Sequence, residues 1–258
     1  MLKVRVLHHM ARSGGTVIAK CLGCMSGVIL LSETHPYGGQ YFNPLKQAHH
    51  WFDLFTPDDI AAFKRGGTMD FAEAIMLIAE RCSSRGEKLA IRDWTHLDFT
   101  AVPFLPEPTY RLTTADVLRE HCNVIQAATT RHPIDQWLSL RKLALIQGRL
   151  SLDEYLVGYR RFAEKCVEIG FIRYEDFART PELMTQELCR RLEVEYDRDF
   201  IDKWVTYDKV TGDVVSARAG GKIGVLPRRP MEPGLLERFE GNGDYQKALM
   251  LLGYRHPG

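Results

Sequence analysis

The sequence has no apolar run long enough to cross a membrane and no excess of charge of either sign. A membrane-spanning helix needs about 20 consecutive apolar residues, and no such stretch occurs. The formal net charge is +1, so the overall composition points neither to nucleic acid nor to a charged membrane surface as a partner. The chain also has no internal repeat and no low-complexity linker, which favours a single domain over residues 1–258.

Cysteine is present, but without the spacing of a disulfide framework. The six cysteines are spread along the chain, mostly in apolar contexts. Cys21 and Cys24 form a lone CxxC with no second pair to complete a metal site, so we interpret them as small buried side chains. The N-terminal residues MLKVRV contain no secretory apolar segment. We therefore expect a reducing, cytoplasmic location.

Short apolar segments alternate with helical segments along the chain. These runs lack the polar alternation of a sheet with one solvated face, which is typical of parallel strands buried on both sides. The predicted strands are residues 3–8, 28–31, 88–92, 123–129 and 171–174. Helices between such strands imply right-handed crossovers. The predicted fold is a three-layer α/β domain with a mainly parallel central sheet flanked by helices.

Capping residues mark three of the predicted helix starts. Asp70 with Glu73, and Ser151 with Glu154, have the spacing of capping boxes. Thr180 precedes a proline and is predicted to cap the helix that begins there.

Two segments do not fit this alternation. Residues 35–55 are rich in aromatic residues, histidine, glycine and proline, and they follow the second strand at the edge where α/β sheets bind ligands. Residues 208–230 contain several glycines and basic residues with little helical period. Long ordered loops of this kind are usually functional, so both segments are expected to border a binding site.

The first strand leads into a small-residue loop and then a helix, in the segment VRVLHHMARSGGTVIAKCL. Loop amides and a helix N-terminus together form an anion-binding site. Gly14 and Gly15 allow the backbone to approach a phosphate closely. Arg12 and the hydroxyls of Ser13 and Thr16 add side-chain donors. The sequence therefore predicts a ligand that carries a phosphate.

This loop lacks the lysine of a nucleotide-binding P-loop. When Thr16 is aligned with the end of the pattern GxxxxGK followed by Ser or Thr, His9 stands at the first glycine and Gly15 at the lysine. Phosphoryl transfer from ATP depends on that lysine and on magnesium. Asp93 is the only acidic residue near the end of an apolar strand that could serve magnesium. Arg12 offers a fixed charge in place of the lysine.

A second candidate phosphate site lies in NVIQAATTRHPIDQWLSLR. Arg131 is predicted at the carboxyl end of the fourth strand, and Ser139 about two turns into the helix that follows. Arginine offers paired, charge-assisted hydrogen bonds to a phosphate. We expect these two side chains to bind a second phosphate, away from the first loop.

In this order, ARSGGT and TRHPIDQWLSL resemble the sulfotransferases that use 3′-phosphoadenosine 5′-phosphosulfate (PAPS) as donor. Two later segments extend the resemblance. IRYEDFARTPELMTQELCRRLEV is similar to a strand-turn-helix segment of that family, and SARAGGKIG followed by PRRP is similar to its basic glycine loop. The resemblance covers residues 4 to about 230 and implies the P-loop-like sulfotransferase architecture.

The resemblance also implies a role for each matching residue. Arg12 would neutralise charge on the leaving group. Val17 stands where many members have an aromatic residue that stacks on adenine, so that stack is lost or comes from elsewhere. The implied donor-binding residues are Arg12, Ser13, Gly14, Gly15 and Thr16 at the 5′-phosphosulfate, Arg131 and Ser139 at the 3′-phosphate, Tyr174 at the adenine, and Arg218, Gly220, Gly221 and Lys222 in the loop over the 3′-phosphate.

A third motif, KLAIRDWTHLDF, supplies candidates for the catalytic base. Sulfuryl transfer to an alcohol requires removal of the hydroxyl proton, and histidine suits this role because its pKa lies near neutrality. Thr95-His96-Leu97 resembles the family's threonine and histidine at a strand end, where the histidine is the base. His96 is therefore the predicted base. Asp93 is the alternative, either as the base or as the residue that orients it.

The function that these motifs imply is in-line, metal-independent transfer of a sulfuryl group from PAPS to a hydroxyl or amine of a small-molecule or carbohydrate acceptor. A P-loop nucleotide or small-molecule kinase and a catalytically silent nucleotide-binding protein are the alternatives. No metal site is predicted, because the histidines of residues 35–55 have no carboxylate or cysteine at ligand spacing. Residues 35–55 and 97–117 are expected to form the acceptor pocket with the aromatic side chains Tyr37, Tyr41, Phe42, Trp51, Phe52, Phe99, Phe104 and Tyr110.

Overall fold

A computed structural model describes residues 1–257 except residues 66, 68 and 213–221. The strands of the described part are β1 (Lys3–His9), β2 (Val28–Thr34), β3 (Lys88–Asp93), β4 (Asn123–Thr130) and β5 (Phe171–Arg173). They form one sheet in the order β2-β3-β1-β4-β5, and every neighbouring pair is parallel. The predicted α/β fold with a parallel sheet is confirmed.

Helices cover both faces of this sheet. Those of the described part are α1 (Gly15–Gly23), α2 (Pro44–Phe52), α3 (Pro57–Arg65), α4 (Phe71–Ser84), α5 (His96–Thr100), α6 (Thr113–Arg119), α7 (Pro133–Leu140), α8 (Leu152–Ile169), α9 (Tyr174–Arg179), α10 (Pro181–Arg191), α11 (Phe200–Lys203), α12 (Leu235–Glu240) and α13 (Gly243–Leu252). None of them has the length and apolar character needed to cross a bilayer. The six cysteines are unpaired. Cys21 is buried as interpreted, but Cys24, expected to be buried as well, is only partly so because it lies at the end of α1.

The core is divided between the two faces because each strand buries alternate side chains on opposite sides. On one face, α1, α10 and α11 pack on Leu7 of β1 and Ala127 of β4. On the other face, α4 packs on Val4 and Val6, while α8 and α13 pack near Ala128. This arrangement explains the continuous apolar runs of the strands.

Helix starts follow the predicted capping residues in all three cases, and the capping hydrogen bond forms in two of them. At the starts of α4 and α8, the N3 amide donates to the side chain of the capping residue at 2.8 and 3.2 Å, and both capping boxes form. Thr180 stands at the N-cap position of α10 with Pro181 as the first helical residue, as predicted, but its side chain makes no capping hydrogen bond. Its Oγ1 donates instead to the carbonyl oxygen of Asp176 at 3.1 Å, at the end of α9.

The last residues of all five strands differ from the predicted ones by one to three positions, and the start of α1 differs as well. β2 continues to Thr34 because polar residues after the apolar run still pair with β3. Tyr174, predicted at a strand end, is the first residue of α9. α1 begins at Gly15, so Gly15 and Thr16, predicted in the loop, belong to the first helical turn.

The sheet order places the loop after β1 between the carboxyl ends of β3 and β4. Parallel strands end at one edge, and ligands of open α/β sheets bind where neighbouring connections diverge at that edge. The candidate residues that follow β1, β3 and β4 therefore meet in one region.

Candidate functional site

The loop after β1 turns sharply into α1 and is closely packed. Arg12 (φ 66°) and Gly14 (φ 89°) both adopt left-handed backbone conformations. A Cβ on Gly14 would lie 2.2 Å from Cδ2 of Tyr174, and a Cβ on Gly15 would lie 2.2 Å from Cδ2 of His9. The two rings leave no space for a larger residue, so the glycines of the motif serve packing as well as access to the backbone.

Ser13 lies in this loop, next to the N-terminus of α1. Its side chain is buried, and its Oγ has no hydrogen-bond partner among the described residues. A buried hydroxyl without a partner costs about 1–3 kcal/mol. A phosphate at the helix N-terminus would accept hydrogen bonds both from this hydroxyl and from the backbone amides. The residues present therefore fit a phosphate-bearing donor.

The loop is joined directly to the motif that follows β4. Arg12 Nε donates to Ser139 Oγ at 3.0 Å. Arg131 Nη1 donates to the carbonyl oxygen of Arg12 at 3.1 Å. Gln136 Nε2 donates to the carbonyl oxygen of Ala11 at 2.7 Å. The expectation that Arg131 and Ser139 lie away from the first loop is therefore wrong, because three hydrogen bonds connect the two segments.

Tyr174 lies between these segments. Its ring covers Gly14, and Cζ of Arg131 stands 5.1 Å from the ring centroid, a cation–π distance. The next residue, Glu175, accepts a hydrogen bond from the backbone N–H of His132 at 2.8 Å. The start of α9 is thus attached to the end of β4, which places Arg131 over the loop.

Arg92 is a site residue that the sequence motifs did not single out. Alternation along β3 places its side chain on the α1 face of the sheet, beside the loop, and only 4% of it is exposed. Its Nε donates to His9 Nε2 at 3.0 Å, and its Nη2 donates to Thr16 Oγ1 at 3.2 Å. Burial, followed by the charge of Arg92, lowers the pKa of His9 well below its usual value, so the imidazole is neutral and accepts this bond. The sequence feature that could have identified Arg92 is its position as a charged residue inside an otherwise apolar strand.

Arg92 also binds the start of the late loop. Its Nη1 donates to the carbonyl oxygen of Thr211 at 2.9 Å, and its Nη2 donates to Glu33 Oε1 at 3.3 Å. Thr211 Oγ1 in turn donates to Glu33 Oε2 at 2.6 Å, and its backbone N–H donates to Ser32 Oγ at 3.0 Å. Burial lowers the pKa of the Arg92 guanidinium, and the Glu33 carboxylate opposes this effect. Residues of β1, α1, β2 and the late loop thus share one cation.

Asp93, the next residue of β3, faces the opposite side of the sheet and is fully buried. Its Oδ2 lies 2.7 Å from His8 Nδ1 and accepts from Thr95 Oγ1 at 2.7 Å, and its Oδ1 accepts from Thr114 Oγ1 at 2.6 Å. Burial raises the pKa of the carboxyl, but the hydrogen bond and charge interaction with His8, together with His35 and Thr114, outweigh it and hold the pKa at about 2. Both oxygens are occupied by partners other than His96, so the expectation that Asp93 orients His96 does not hold.

His96 is the first residue of α5, and only 2% of it is exposed. Thr100 Oγ1 donates its proton to the carbonyl oxygen of His96 at 2.8 Å, so Thr100 Oγ1 itself accepts a hydrogen bond from His96 Nε2 at 3.1 Å. The lone pair then lies on Nδ1, which has no hydrogen-bond partner in the described part of the chain. Burial lowers the pKa of His96 to about 4. The imidazole is therefore neutral near pH 7, with its basic atom unoccupied by protein groups.

Aromatic side chains cluster beside the segment that connects β3 to α5. The ring of Trp94 lies 4.9 Å from that of Phe42 and 5.3 Å from that of Phe104. Tyr41 stacks on Phe104 at 3.9 Å and is about half exposed. Tyr41 and Phe42 come from residues 35–55 and Phe104 from residues 97–117, while Trp94 lies two residues before the start of α5.

Other aromatic residues predicted for this pocket belong to the core. Phe52 is buried with the residues of α4 that cover β3, and Trp51 packs against that cluster. Phe99 is fully buried, with its ring 5.3 Å from that of Phe162. The helices α2 and α5 turn these rings toward the sheet, and the sequence segments were too short for their helical faces to be assigned.

The late loop is anchored at its far end as well. Arg228 donates through Nε and Nη2 to the two carboxylate oxygens of Asp135, at 3.0 and 2.9 Å, in the first turn of α7. Lys222 is exposed. Within the described ranges there is no cluster of three or more His, Cys, Asp or Glu side chains suited to a metal ion. The predicted donor-binding residues that lie outside the described residues are Arg218, Gly220 and Gly221.

Solved structures share this architecture over nearly the whole chain. The sulfotransferase domain from the curacin biosynthetic pathway aligns with a TM-score of 0.62 at 16% identity, over 98% of each chain. The sulfotransferase domain from the Synechococcus PCC 7002 olefin synthase aligns with a TM-score of 0.56 at 14% identity, over 99% of this chain and 89% of that one. A sulfotransferase from Alicyclobacillus acidocaldarius aligns with a TM-score of 0.50 at 15% identity, over 97% and 96%. Models of protein families and curated proteins give no match to the sequence. The chain has the sulfotransferase fold.

Proposed function

We propose that the protein transfers a sulfuryl group from PAPS to a hydroxyl or amine of a small-molecule or carbohydrate acceptor. The observation that carries this proposal is the joining of two candidate phosphate sites by the bond between Arg12 Nε and Ser139 Oγ. PAPS carries one phosphate on each side of its ribose, and a site with two linked anion-binding segments suits such a donor. The sulfotransferase fold supports the same conclusion.

At the 5′ end, the proposed ligands are the first amides of α1 and the hydroxyls of Ser13 and Thr16. Thr16 Oγ1 already accepts a hydrogen bond from Arg92, so its own proton is directed to another acceptor. Arg12 stands at the same loop and supplies the positive charge nearest to the leaving group. Fixed N–H groups and an arginine stabilise negative charge that develops on a phosphate oxygen.

At the 3′ end, the proposed ligands are Arg131 and Ser139. Ser139 Oγ accepts from Arg12, which again leaves the hydroxyl proton to donate to a ligand. The planar guanidinium of Arg131 suits a phosphate because it can donate two parallel hydrogen bonds. Tyr174, which lies against Arg131, is the proposed contact for the adenine.

The proposed base is His96, acting through Nδ1. The acceptor oxygen or nitrogen forms a bond to sulfur while the bond from sulfur to the 5′-phosphate oxygen breaks, and Nδ1 takes the acceptor's proton. Arg12 and the α1 N-terminus stabilise the negative charge left on the phosphate. Since the pKa of His96 is about 4, the ring is neutral near pH 7 and its free Nδ1 can accept a proton. Asp93 has no part in this step.

The proposal is tested by ligand-induced stabilisation. Thermal unfolding is followed with PAPS, with 3′-phosphoadenosine 5′-phosphate (PAP), and with Mg-ATP. PAPS and PAP at 100 times their Kd should stabilise the protein by about 2.7 kcal/mol without added metal. Stabilisation by Mg-ATP alone would favour the kinase instead. Binding of PAPS with no PAP released across panels of alcohols, phenols, amines and glycans would favour the silent nucleotide-binding protein.

The base is tested by His96→Ala once an acceptor is found. General-base catalysis contributes typically 10²–10⁴-fold, so turnover should fall by at least about 100-fold. PAP affinity should stay the same. His121→Ala, at an exposed position after α6, is the matched control and should keep full turnover. A fully active His96→Ala enzyme would remove His96 from the mechanism.

A further inference from the structure

The guanidinium of Arg92 is saturated by protein groups. Its Nε makes one hydrogen bond, and its Nη1 and Nη2 make two each. Because arginine has five N–H donors, none is left for a ligand while these bonds persist. The partners are His9, Thr16, Ser32, Glu33 and Thr211. Arg92 therefore acts on the site through its neighbours and not by direct contact.

One of these neighbours is a proposed phosphate ligand. A hydroxyl that accepts a hydrogen bond from a cation is polarised, and its own proton turns toward the next acceptor. Thr16, in the first turn of α1, is in this position relative to Arg92. Ser139 is in the same position relative to Arg12 on the other side of the loop. Each proposed end of the donor thus meets a hydroxyl oriented by an arginine.

Another neighbour begins the late loop. Thr211 receives a bond from Arg92 and is also tied to Glu33, whose backbone is left-handed (φ 54°). A left-handed conformation is unfavourable for glutamate, and it persists when surrounding contacts hold it. Arg92 provides two such contacts, one to Glu33 itself and one to Thr211.

We propose that Arg92 is a positioning residue that directs the Thr16 hydroxyl at the 5′-phosphate of the donor and fixes Thr211 against the end of β2. The first half of this proposal rests on the proposed function, because the anion in question is the donor's phosphate. The effect of Arg92 should therefore depend on whether a ligand has a 5′-phosphate.

Arg92→Lys tests this dependence with two probes. PAP has both phosphates, and adenosine 3′-phosphate lacks the 5′-phosphate. Lysine keeps the charge but cannot make the planar set of bonds, so we expect PAP to bind about tenfold more weakly. Adenosine 3′-phosphate should bind unchanged. Equal weakening of both probes would indicate a structural role only, and no weakening of either would also overturn the proposal.

The chain offers a matched control in Arg5. It is 6% exposed, lies at the opposite end of β1, and donates to the carbonyl oxygen of Leu192 at 3.0 Å. Arg5→Lys makes the same substitution in an equally buried place far from the loop. It should alter the stability of the fold and leave the affinities of both probes within twofold. A tenfold loss of PAP affinity in this control would contradict a specific role for Arg92.

A second variant covers the case in which Arg92→Lys does not fold. Glu33→Gln keeps an acceptor oxygen but removes the charge that holds Nη2 of Arg92 beside Thr16. PAP affinity should fall about threefold, again without change for adenosine 3′-phosphate. An unchanged PAP affinity would overturn the positioning role. Failure of the wild-type protein to bind PAP would instead overturn the proposed function, so the two failures are distinguishable.

Discussion

Two arginines, one from each strand beside β1, flank the phosphate loop and differ in what surrounds them. Arg92 at the end of β3 is almost completely buried and makes five hydrogen bonds inside the protein. Arg131, just after β4, is partly exposed, donates to the carbonyl oxygen of Arg12 and lies against the ring of Tyr174. The same residue type thus serves as an internal cross-link on one flank and is the proposed phosphate ligand on the other.

The two flanks differ because of what covers them. On the β3 flank, β2 and the start of the late loop close over the strand end, and Asp93 is enclosed with His8 and two threonine side chains. On the β4 flank, the chain turns directly into α7, and Ser139 faces back toward the loop. We therefore expect the change of Asp93 on the β3 flank to lower stability without changing donor affinity, and changes of Arg131 and Ser139 on the β4 flank to lower donor affinity.

The largest effect is expected from Asp93→Asn on the β3 flank. The buried carboxylate of Asp93 accepts from Thr95 and Thr114, and asparagine replaces one of its two oxygens with an NH2 donor. Disrupting a buried, hydrogen-bonded carboxylate in this way should cost about 3–5 kcal/mol. For a chain of this size the loss lowers Tm by roughly 10 °C, measured by calorimetry. PAP affinity of the folded fraction should not change. Asp116→Asn, a more exposed carboxylate on α6, should cost less than about 1 kcal/mol.

This variant also tests the role of Asp93 in the chemistry. A stable Asp93→Asn protein with no turnover would return Asp93 to consideration as the base and would break the contrast between the flanks.

The next largest effect is the loss of stability in acid, to which one histidine on each flank contributes. Burial lowers the pKa of His96 to about 4, and burial is also the main cause that lowers the pKa of His132 to about 4. The unfolded chain takes up a proton at each site near pH 6.5, whereas the folded state does so only near pH 4. The stabilisation is therefore complete above pH 6.5 and is lost as the pH falls toward 4.

Each histidine should account for roughly 3 kcal/mol of this loss. Urea unfolding between pH 7.5 and 4.5 measures it in the wild-type protein and in His96→Gln and His132→Gln. Each variant should show a shallower dependence on pH over this range. A variant with the wild-type slope would show that the histidine it replaces is not held neutral by burial.

A smaller effect, on affinity, is expected from Arg131→Ala on the β4 flank. A charge-assisted hydrogen bond contributes about 1.5–3 kcal/mol, so PAP should bind roughly 30-fold more weakly. Adenosine 5′-phosphate, which lacks the 3′-phosphate, should bind as before, and Tm should change little. Arg179→Ala, at an exposed position on α9, is the control. Unchanged PAP affinity would remove Arg131 from the 3′-phosphate site.

The smallest effect is expected from Ser139→Ala, and Ser151→Ala serves as its comparison. Ser139→Ala removes one neutral hydrogen bond, so PAP affinity should fall about fivefold, or about 1 kcal/mol, with little change in stability. Ser151→Ala removes the cap of α8 and should cost about 1 kcal/mol of stability with no change in affinity. Calorimetric titration and urea unfolding of both variants measure the two quantities. The reverse pattern would contradict the assignment of Ser139 to the ligand.

The β4 flank could be predicted from the sequence because its parts are close together in the chain. Arg131 and Ser139 lie within one strand-helix unit, and helical geometry fixes their spacing. The β3 flank could not be predicted in the same way. The partners of Arg92 range from His9 to Thr211, and only the sheet order brings them together.

The two candidates for the base, Asp93 and His96, could not be separated without knowing which face of the sheet each strand residue occupies. Neighbouring strand residues point to opposite faces, so Arg92 joins the loop on the α1 face while Asp93 joins His8 on the other. The sequence shows this alternation but not which face the loop occupies. At Thr180 the sequence predicts the helix start correctly but not the side-chain bond, because the hydroxyl donates to the carbonyl oxygen of Asp176 in the preceding helix.

The central claim is that one donor with two separated phosphates binds across the loop and the β4 flank. Calorimetric titration of the wild-type protein with PAP, adenosine 5′-phosphate and adenosine 3′-phosphate, without divalent metal, tests it most directly. We expect PAP to bind at least about 100-fold more tightly than either monophosphate, because each end adds charge-assisted hydrogen bonds. Equal affinity for PAP and adenosine 5′-phosphate would contradict the account.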